Sequence, residues 1–265
     1  MNKIHPMAFV SPDAQLGNNV EVGPFAYIDA NVVIGDGCHI MNNATVLNHV
    51  KMGRDCTVFP GAVVGAIPQD LKFEGEDSWV EIGDRVNIRE CATINRGTQA
   101  SGKGVTRIGN DTLIMSYAHI AHDCQIGNHC IIVSYVGLAG ETDIEDWGIL
   151  GGKSGSHQFS RIGTHAFVAA FAKITKDIPP YVLAGREPIA FEGVNRTGLL
   201  RRGFTEEQVN RIKDISDCIY FKGMNTSQAL EYIEANFPVT AERDTILGFI
   251  RSSQRGIIPK PRPRK

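Results

Sequence analysis

One short segment of the chain, from Ala118 to Cys124, holds residue types that proteins use to move protons. His122 directly precedes Asp123, and His119 stands nearby in the same segment. An imidazole takes up and releases a proton near neutral pH, and a neighbouring carboxylate can orient it. The pair therefore indicates a general base, with a solvated surface histidine of no catalytic role as the alternative.

The elements that must position this pair follow from a six-residue repeat. An aliphatic residue or Met recurs at every sixth position from Val10 to Val64, at Ile82, Ile88 and Ile94, and from Ile108 to Ile174, where only Ser156 interrupts. A period of six fits a short strand followed by a sharp corner, where Gly, Asn and Asp are favoured. Three hexads close one triangular coil, and stacked coils bury one another's apolar faces. The sequence therefore predicts a mainly β protein, a parallel β-helix.

His122 lies at a corner of this expected coil. Because Ile120 is the inward aliphatic residue of its hexad, His122 falls at the turn and projects outward. Gly140 lies one coil further along the chain and Gln158 two coils further, at steps of about 4.8 Å. An outward imidazole beside a glycine N–H suits acyl transfer, since the N–H can donate to the oxyanion formed on a thioester carbon. A purely structural corner is the alternative.

Two segments interrupt the hexads. Residues 65–79 break the pattern, and residues 98–106 are polar and glycine-rich, with a register shift across them. Loops expelled from a rigid solenoid are often functional, and a tolerated insertion is the alternative.

The hexads end after Ile174, and Pro179-Pro180 marks the expected boundary between a β-helical domain, residues 1–180, and a helical domain, residues 181–265. The stretch from Thr205 to Gln208 has the pattern of a capping box at a helix start. Further helices are expected from about Thr226 to Asn236 and from near Thr240.

Composition narrows the class of protein. A formal net charge of −2 gives no overall indication of nucleic-acid binding. No apolar run has the length of a signal peptide core or a membrane span. The six cysteines form no CxxC pair, so a disulfide scaffold is not expected. We expect a cytoplasmic protein with no cofactor and no bound metal ion.

Specific strings then link the sequence to a known family: PQDLKFEGE, AHIAHDC, SHQF, DIPPYV and GVNRTGLLRRGF. In this order, over essentially the whole chain, they resemble the UDP-N-acetylglucosamine O-acyltransferases, which catalyse the first step of lipid A synthesis. The resemblance implies a left-handed coil, where the general rule for parallel crossovers would give the right hand. It also implies a homotrimer with sites between subunits. The implied reaction transfers an (R)-3-hydroxyacyl group from acyl carrier protein to the 3-hydroxyl of UDP-N-acetylglucosamine.

The resemblance assigns roles to the residues around the corner. His122 matches the general base, Asp123 the carboxylate that orients it, and Gly140 the oxyanion-hole donor. Contacts with the nucleotide-sugar are implied for a further set: His119, His157 and Gln158.

Two more groups of residues match substrate-binding positions of the family. Positions that reach the site from an adjoining subunit correspond to Gln69, Asp70 and Lys72. The region that holds the uridine diphosphate corresponds to Asn195, Arg201 and Arg202. Adjacent arginines suit a diphosphate by their own chemistry, although they can also simply flank a helix and aid solubility.

The sequence also departs from the family pattern. Glu141 stands where the best-known members carry His, and Thr197 stands where Glu is common, so contacts with the sugar and the nucleotide can differ. Ala169 and Ala170 occupy the stretch that sets acyl length, where two Gly are familiar. The preferred chain length is therefore not carried over.

Because acyl carrier protein is acidic, basic groups are candidates for docking it. They are Arg161, Lys173 and the tail from Arg251, which holds six basic residues and no acidic one. A solvated chain end is the alternative for the tail.

Three other readings compete with this one. A zinc-dependent hexapeptide-repeat carbonic anhydrase would use clustered histidines such as His119, His122 and His157, but it gives no role to the PQDLK and LLRRGF strings. The N-acyltransferase of the same pathway carries an extra N-terminal domain, whereas the repeat here starts by Val10. A non-catalytic scaffold is open to any solenoid.

Overall fold

A three-faced prism of short strands forms most of the molecule, in a computed structural model that describes residues 1–261. Strands pair in parallel with those one coil away, as Leu113–Ile114 does with Ile131–Ile132. The predicted fold class, a left-handed parallel β-helix followed by helices, is confirmed.

Three sheets form the faces of the prism. Face A contains the strands Lys3–Ile4, Glu21–Val22, His39–Ile40, Thr57–Val58, Asn87–Ile88, Leu113–Ile114, Ile131–Ile132, Ile149–Leu150, Phe167–Val168, Val182–Gly185 and Ala190–Val194. Face B contains Phe9–Val10, Tyr27–Ile28, Thr45–Val46, Val63–Ala66, Thr93–Asn95, His119–Ile120, Gly137–Leu138, Gly155–Ser156 and Lys173–Ile174. Face C contains Gln15–Leu16, Val32–Ile34, Val50–Met52, Trp79–Ile82, Val105–Ile108, Gln125–Ile126, Asp143–Ile144 and Arg161–Ile162.

The chain turns at three edges, which we call AB, BC and CA after the faces they join. Many edge residues adopt left-handed backbone angles; along edge BC, φ is 61° at Asp123, 57° at Glu141 and 63° at Phe159. This conformation costs roughly 1–2 kcal/mol for a residue with a Cβ atom. Hydrogen bonds between coils hold the edges in place, so edge side chains have fixed positions.

The hexad aliphatics fill the prism as the repeat predicts, and Ile114, Ile120 and Ile132 are fully buried. Ser156, the one break in the repeat, occupies an inward position without an unpaired hydroxyl. Its Oγ accepts from Ala139 N at 3.0 Å and lies 2.7 Å from Thr142 Oγ1. The polar substitution is tolerated because its hydrogen bonds are satisfied inside the prism.

Both interruptions leave the prism as loops. The first covers residues 67–78 and is shorter than the expected 65–79, because Gly65, Ala66 and Trp79 belong to strands. The second covers residues 96–104, which is as long as the expected 98–106 but begins two residues earlier. After each loop the coil resumes in register, with Val80 opposite Val50 and Trp79 opposite Val105.

The β-helix continues further than the hexads indicate. Val182–Gly185 pairs in parallel with Phe167–Val168, and Ala190–Val194 then adds an antiparallel strand to face A. These strands lie beyond the expected boundary at residue 180, and Val182 and Ala184 occupy inward core positions without hexad spacing. The chain later returns to this end, where Ile258 N donates to Asp177 O at 2.9 Å.

Four helices follow the strands: α1 Arg196–Arg201, α2 Glu206–Phe221, α3 Thr226–Asn236 and α4 Ala241–Arg251. The capping box at the start of α2 is confirmed, since Gln208 N donates to Thr205 Oγ1 at 3.2 Å and Thr205 N donates to Gln208 Oε1 at 2.9 Å. The sequence did not predict the short α1. None of the helices within residues 1–261 has both the length and the apolar character needed to cross a membrane.

Candidate functional site

His122 and Asp123 form a hydrogen-bonded pair, which we call the dyad, at edge BC outside the prism. His122 Nδ1 lies 2.8 Å from Asp123 Oδ2, the carboxylate is completely buried, and His122 is 9% exposed. An ionised carboxylate only accepts hydrogen bonds, so Nδ1 carries the proton of the neutral imidazole. The lone pair of Nε2 is then available to act as a base.

The first loop covers this imidazole. Asp70 Oδ2 lies 3.7 Å from His122 Nε2 within the same chain. The family resemblance had implied that this loop serves an adjoining subunit, so for Asp70 the structure differs from that expectation. Gln69 and Lys72 are exposed on the same loop.

Gly140 lies directly against the imidazole. A Cβ atom at this position would stand 2.4 Å from both Cε1 and Nε2 of His122, so only Gly fits without moving the ring. Glu141 N donates to His122 O at 3.0 Å, as expected for neighbouring coils 18 residues apart. Within residues 1–261 the N–H of Gly140 has no acceptor, and it is therefore free to bind an oxyanion.

The remaining sugar-binding candidates lie on face B and at edge BC. His119 points outward from face B with Nδ1 2.7 Å from Thr93 Oγ1, and burial lowers its pKa. His157 is exposed, and its Nδ1 donates to the backbone O of Gln158 at 3.0 Å. Gln158 is the residue two coils from His122. In the described part of the chain no three His, Cys, Asp or Glu side chains are grouped so that they could hold a metal ion.

The second loop supplies contacts that sequence reasoning missed. Thr98 donates to both carboxylate oxygens of Asp123, through N at 2.9 Å and Oγ1 at 2.7 Å. Lys103 Nζ lies 3.4 Å from Asp123 O and 3.2 Å from Asp143 Oδ1. The repeat predicts a loop here, but nothing in its polar sequence indicates which of its residues contacts Asp123.

Glu141, the departure from the family pattern, is half-buried one coil below Asp123. Burial raises the pKa of its carboxyl, and the charge of Asp123 adds to that effect, while Lys103 opposes it. The corner next to His122 and Asp123 therefore carries a further acidic side chain.

Arg202 lies at a different edge, CA, where aromatic rings stack from coil to coil. Its guanidinium stands 5.0 Å from the centre of the Trp147 ring and donates to His165 Nδ1 at 3.2 Å. Burial, together with the charge of Arg202, lowers the pKa of His165 to about 4. His165 is therefore neutral near neutral pH, and it can accept this hydrogen bond.

The other nucleotide-binding candidates surround Arg202. Asn195 caps α1, accepting from Gly198 N at 3.2 Å, and its Nδ2 donates to His165 O at 2.9 Å. Arg201 is exposed. A single chain therefore places the dyad at edge BC and these residues at edge CA, on opposite borders of face C.

Ala169 and Ala170 lie at edge AB. Ala169 N donates to Ala184 O at 2.8 Å, and Ala170 is exposed. Between this edge and the dyad, the outward column of face B runs from His119 through Gly137 and Gly155 to Lys173. Nothing lies within 4 Å of a Cβ built at Gly137, so the column is an open strip of bare backbone.

The docking candidates have different surroundings. Arg161 is half-buried against α4, 4.5 Å from the Phe249 ring centre and 2.9 Å from Ser252 Oγ, so it holds the helix rather than a free surface. Lys173 is exposed. Arg251 pairs with Glu234 at 2.6 Å, and Arg262, Arg264 and Lys265 of the expected basic tail lie outside the described residues.

Two family models match the chain. The model "Udp N-acetylglucosamine O-acyltransferase; Domain 2" matches residues 177–258. The model "Bacterial transferase hexapeptide (six repeats)" matches residues 31–66 and 106–140.

Similar proteins span nearly the whole chain. The acyl-[acyl-carrier-protein]–UDP-N-acetylglucosamine O-acyltransferase of Janthinobacterium sp. is 45% identical over 262 residues, covering 97% of this chain and 100% of the relative. The solved UDP-N-acetylglucosamine acyltransferase of Bacteroides fragilis is 50% identical, with a TM-score of 0.94 over 96% of this chain and 99% of that one. The Arabidopsis structure is 31% identical, with a TM-score of 0.85 over 96% and 99%.

Proposed function

The chain belongs to the acyl-[acyl-carrier-protein]–UDP-N-acetylglucosamine O-acyltransferases, and from this premise we propose how its residues carry out the reaction. The reaction moves an (R)-3-hydroxyacyl group from acyl carrier protein to the 3-hydroxyl of UDP-N-acetylglucosamine, the first step of lipid A biosynthesis. One observation carries the residue assignment: a carboxylate-oriented imidazole lies directly against a glycine whose N–H is unpaired.

His122 is the general base in this proposal. Its Nε2 takes the proton of the sugar 3-hydroxyl while the oxygen attacks the thioester carbonyl carbon. The C–S bond then breaks, and the imidazolium returns the proton to the departing thiolate. Asp123, which accepts from Nδ1, stabilises the imidazolium between these steps.

Gly140 N–H stabilises the negative charge on the carbonyl oxygen in the tetrahedral intermediate. A donor fixed before the reaction costs no reorganisation when the charge appears, which makes it effective in a partly dry site. The close packing of Gly140 on the imidazole places the base and the oxyanion donor around one reacting carbon.

Asp70 helps to hold the acceptor hydroxyl. Its Oδ2 and His122 Nε2 are 3.7 Å apart, too far for a hydrogen bond between them. One oxygen atom can nevertheless lie about 2.8 Å from both, a normal hydrogen-bond distance. A sugar hydroxyl in that gap has one proton, which it can donate either to Asp70 or to Nε2, and in the reactive arrangement the imidazole accepts it.

The bare strip on face B provides a path for the acyl chain. Gly137 and Gly155 leave room above the sheet next to the corner that holds His122. The strip runs along the prism axis to Lys173, in the coil whose edge AB holds Ala169 and Ala170. Apolar contacts with backbone and methyl groups there would select the acyl length.

A complete site requires a second copy of the chain. The base lies at edge BC, whereas the cationic Arg202 lies at edge CA, and face C separates these edges within one chain. In a closed ring of three copies, edge BC of one subunit can meet edge CA of the next. This supports the homotrimer with shared sites, because the diphosphate and the sugar hydroxyl then bind to neighbouring subunits.

Product analysis tests the proposed reaction. We expect the purified protein, given UDP-N-acetylglucosamine and a panel of (R)-3-hydroxyacyl carrier proteins, to form an O-acylated nucleotide-sugar and free carrier thiol. Mass spectrometry identifies the product and the preferred acyl length, with UDP-N-acetylglucosamine lacking a free 3-hydroxyl as the control. A protein that leaves the acceptor unacylated with every donor contradicts the proposal.

Replacing Arg202 with Ala should raise KM for the nucleotide-sugar about tenfold or more, because a charge-assisted contact with the diphosphate is lost. We expect kcat to stay within a few-fold of wild type. Steady-state kinetics measure both values, with Arg211→Ala, which removes a surface ion pair to Glu207 in α2, as the control. A loss confined to kcat would rule out the binding role.

Mixed oligomers extend this test to the shared site. His122→Ala and Arg202→Ala subunits, unfolded together and reassembled, should regain activity at low nucleotide-sugar, because some sites then combine an intact His122 with an intact Arg202. Equal activity of the mixture and the separate variants would place both residues in the site of one chain.

A further inference from the structure

Thr98 reaches the catalytic pair from the second loop. Its side chain is buried, with the residue only 1% exposed, and it donates to the carboxylate of Asp123 at two points. Backbone N lies 2.9 Å from Oδ1, and Oγ1 lies 2.7 Å from Oδ2. The Oδ2 atom that accepts from Thr98 Oγ1 is the same atom that accepts from His122 Nδ1.

The two hydrogen bonds from Thr98 also fix the orientation of the Asp123 carboxylate. A carboxylate held by one donor can rotate about its terminal torsion, which is broad and shallow. Donors on both oxygens set that torsion, so that Oδ2 points at Nδ1 of His122. The tautomer and the orientation of the imidazole then follow from the position of the carboxylate.

Hydrogen bonds to Thr98 also hold the second loop in place. Thr98 O accepts from Gly104 N at 3.1 Å and from Ser101 Oγ at 2.9 Å, which closes the loop on itself. At Gly97 a Cβ would stand 2.2 Å from Val105 N, so the start of the loop packs on the strand that leaves it. Thr98 is therefore a fixed point of the protein rather than the tip of a free loop.

We propose that Thr98 is a positioning residue for the acyl transfer: its N–H and hydroxyl lock Asp123 in the orientation that keeps His122 Nε2 basic and aimed at the acceptor hydroxyl. The inference rests on the proposed function of His122. Thr98 touches no reacting atom, and it acts only through Asp123.

Kinetics of Thr98 variants test the proposal. Thr98→Val keeps the shape and the backbone N–H but removes the hydroxyl, and we expect kcat to fall roughly 10- to 100-fold, the range for loss of a charge-assisted hydrogen bond. KM for UDP-N-acetylglucosamine should stay within about twofold. Thr98→Ser restores the hydroxyl and should return kcat to within a few-fold of wild type; if Thr98→Val does not fold, Thr98→Ala replaces it.

A double-mutant cycle separates positioning from a merely structural role. In an Asp123→Asn background, Thr98→Val should change kcat by less than about twofold, because the group through which Thr98 acts is already altered. An equal loss of kcat in both backgrounds, or no loss in the wild-type background, overturns the proposal.

A matched threonine provides the control. Thr112 is equally buried, 1% exposed, and its Oγ1 donates to a backbone carbonyl, Gly127 O at 3.1 Å, near edge CA. Thr112→Val should keep kcat near wild type, and a loss as large as that of Thr98→Val also overturns the proposal. A wild-type protein without turnover would instead overturn the proposed function, so the two failures are distinguishable.

Discussion

Replacement of His122 with Ala should lower kcat by about 10²- to 10⁴-fold, the usual effect of removing a general base. The imidazole is a proton acceptor whose orientation is fixed by a buried carboxylate. Asp70 cannot replace it efficiently, because a carboxylate is a weaker base than an imidazole. The fold should be retained, since the ring lies outside the prism and fills no core position.

Single-turnover and steady-state rates with acyl carrier protein and UDP-N-acetylglucosamine measure this loss. Thermal unfolding of the same preparation checks that the oligomer is intact. His39→Ala, which removes an outward imidazole on face A, is the matched control and should turn over at the wild-type rate. A His122→Ala enzyme with near-normal kcat would end the assignment of the base and leave the corner with a structural role.

Replacement of Gly140 with Ala should lower kcat by about 10²-fold or more. The new Cβ would stand 2.4 Å from Cε1 and Nε2 of His122, far inside the contact distance of non-bonded atoms, so the ring must move. A displacement of about 1 Å at a reacting group is enough for a loss of this size. The methyl group also crowds the N–H that binds the oxyanion.

The same kinetic assay tests the Gly140 variant. Gly248→Ala is the control, because a Cβ at that position in α4 meets nothing within 4 Å. Wild-type kcat in the Gly140→Ala enzyme would contradict both the packing on His122 and the oxyanion role.

The repeat made much of the fold predictable from the sequence. A period of six fixes which side chains point inward, so Ile120 in the core and His122 at a corner follow from counting residues. The capping box at Thr205 was equally readable, because its hydrogen bonds are local. The strand Val182–Gly185 was not, since its burial depends on the end of the prism and not on hexad spacing.

The candidate site was only partly predictable for a related reason. His122, Asp123 and Gly140 sit on the repeat, so their neighbourhood could be computed. Thr98 and Asp70 sit on loops, and the contacts of these loops with the dyad depend on closure distances that no periodicity encodes. The surroundings of Arg202 were not predictable from the sequence either, because its packing on Trp147 joins a helix end to an edge 55 residues earlier in the chain.

Because the coil returns in register after each loop, the position of His122 on the prism and the length of the loops can change independently. Trp79 stands opposite Val105, and Val80 opposite Val50, although a loop lies between the two residues of each pair. Residues can therefore be gained, lost or exchanged in residues 67–78 or 96–104 without altering the height of His122 on the prism. Substrate preference can diverge during evolution through loop residues other than Asp70 and Thr98, while the chemistry at the catalytic corner stays constant.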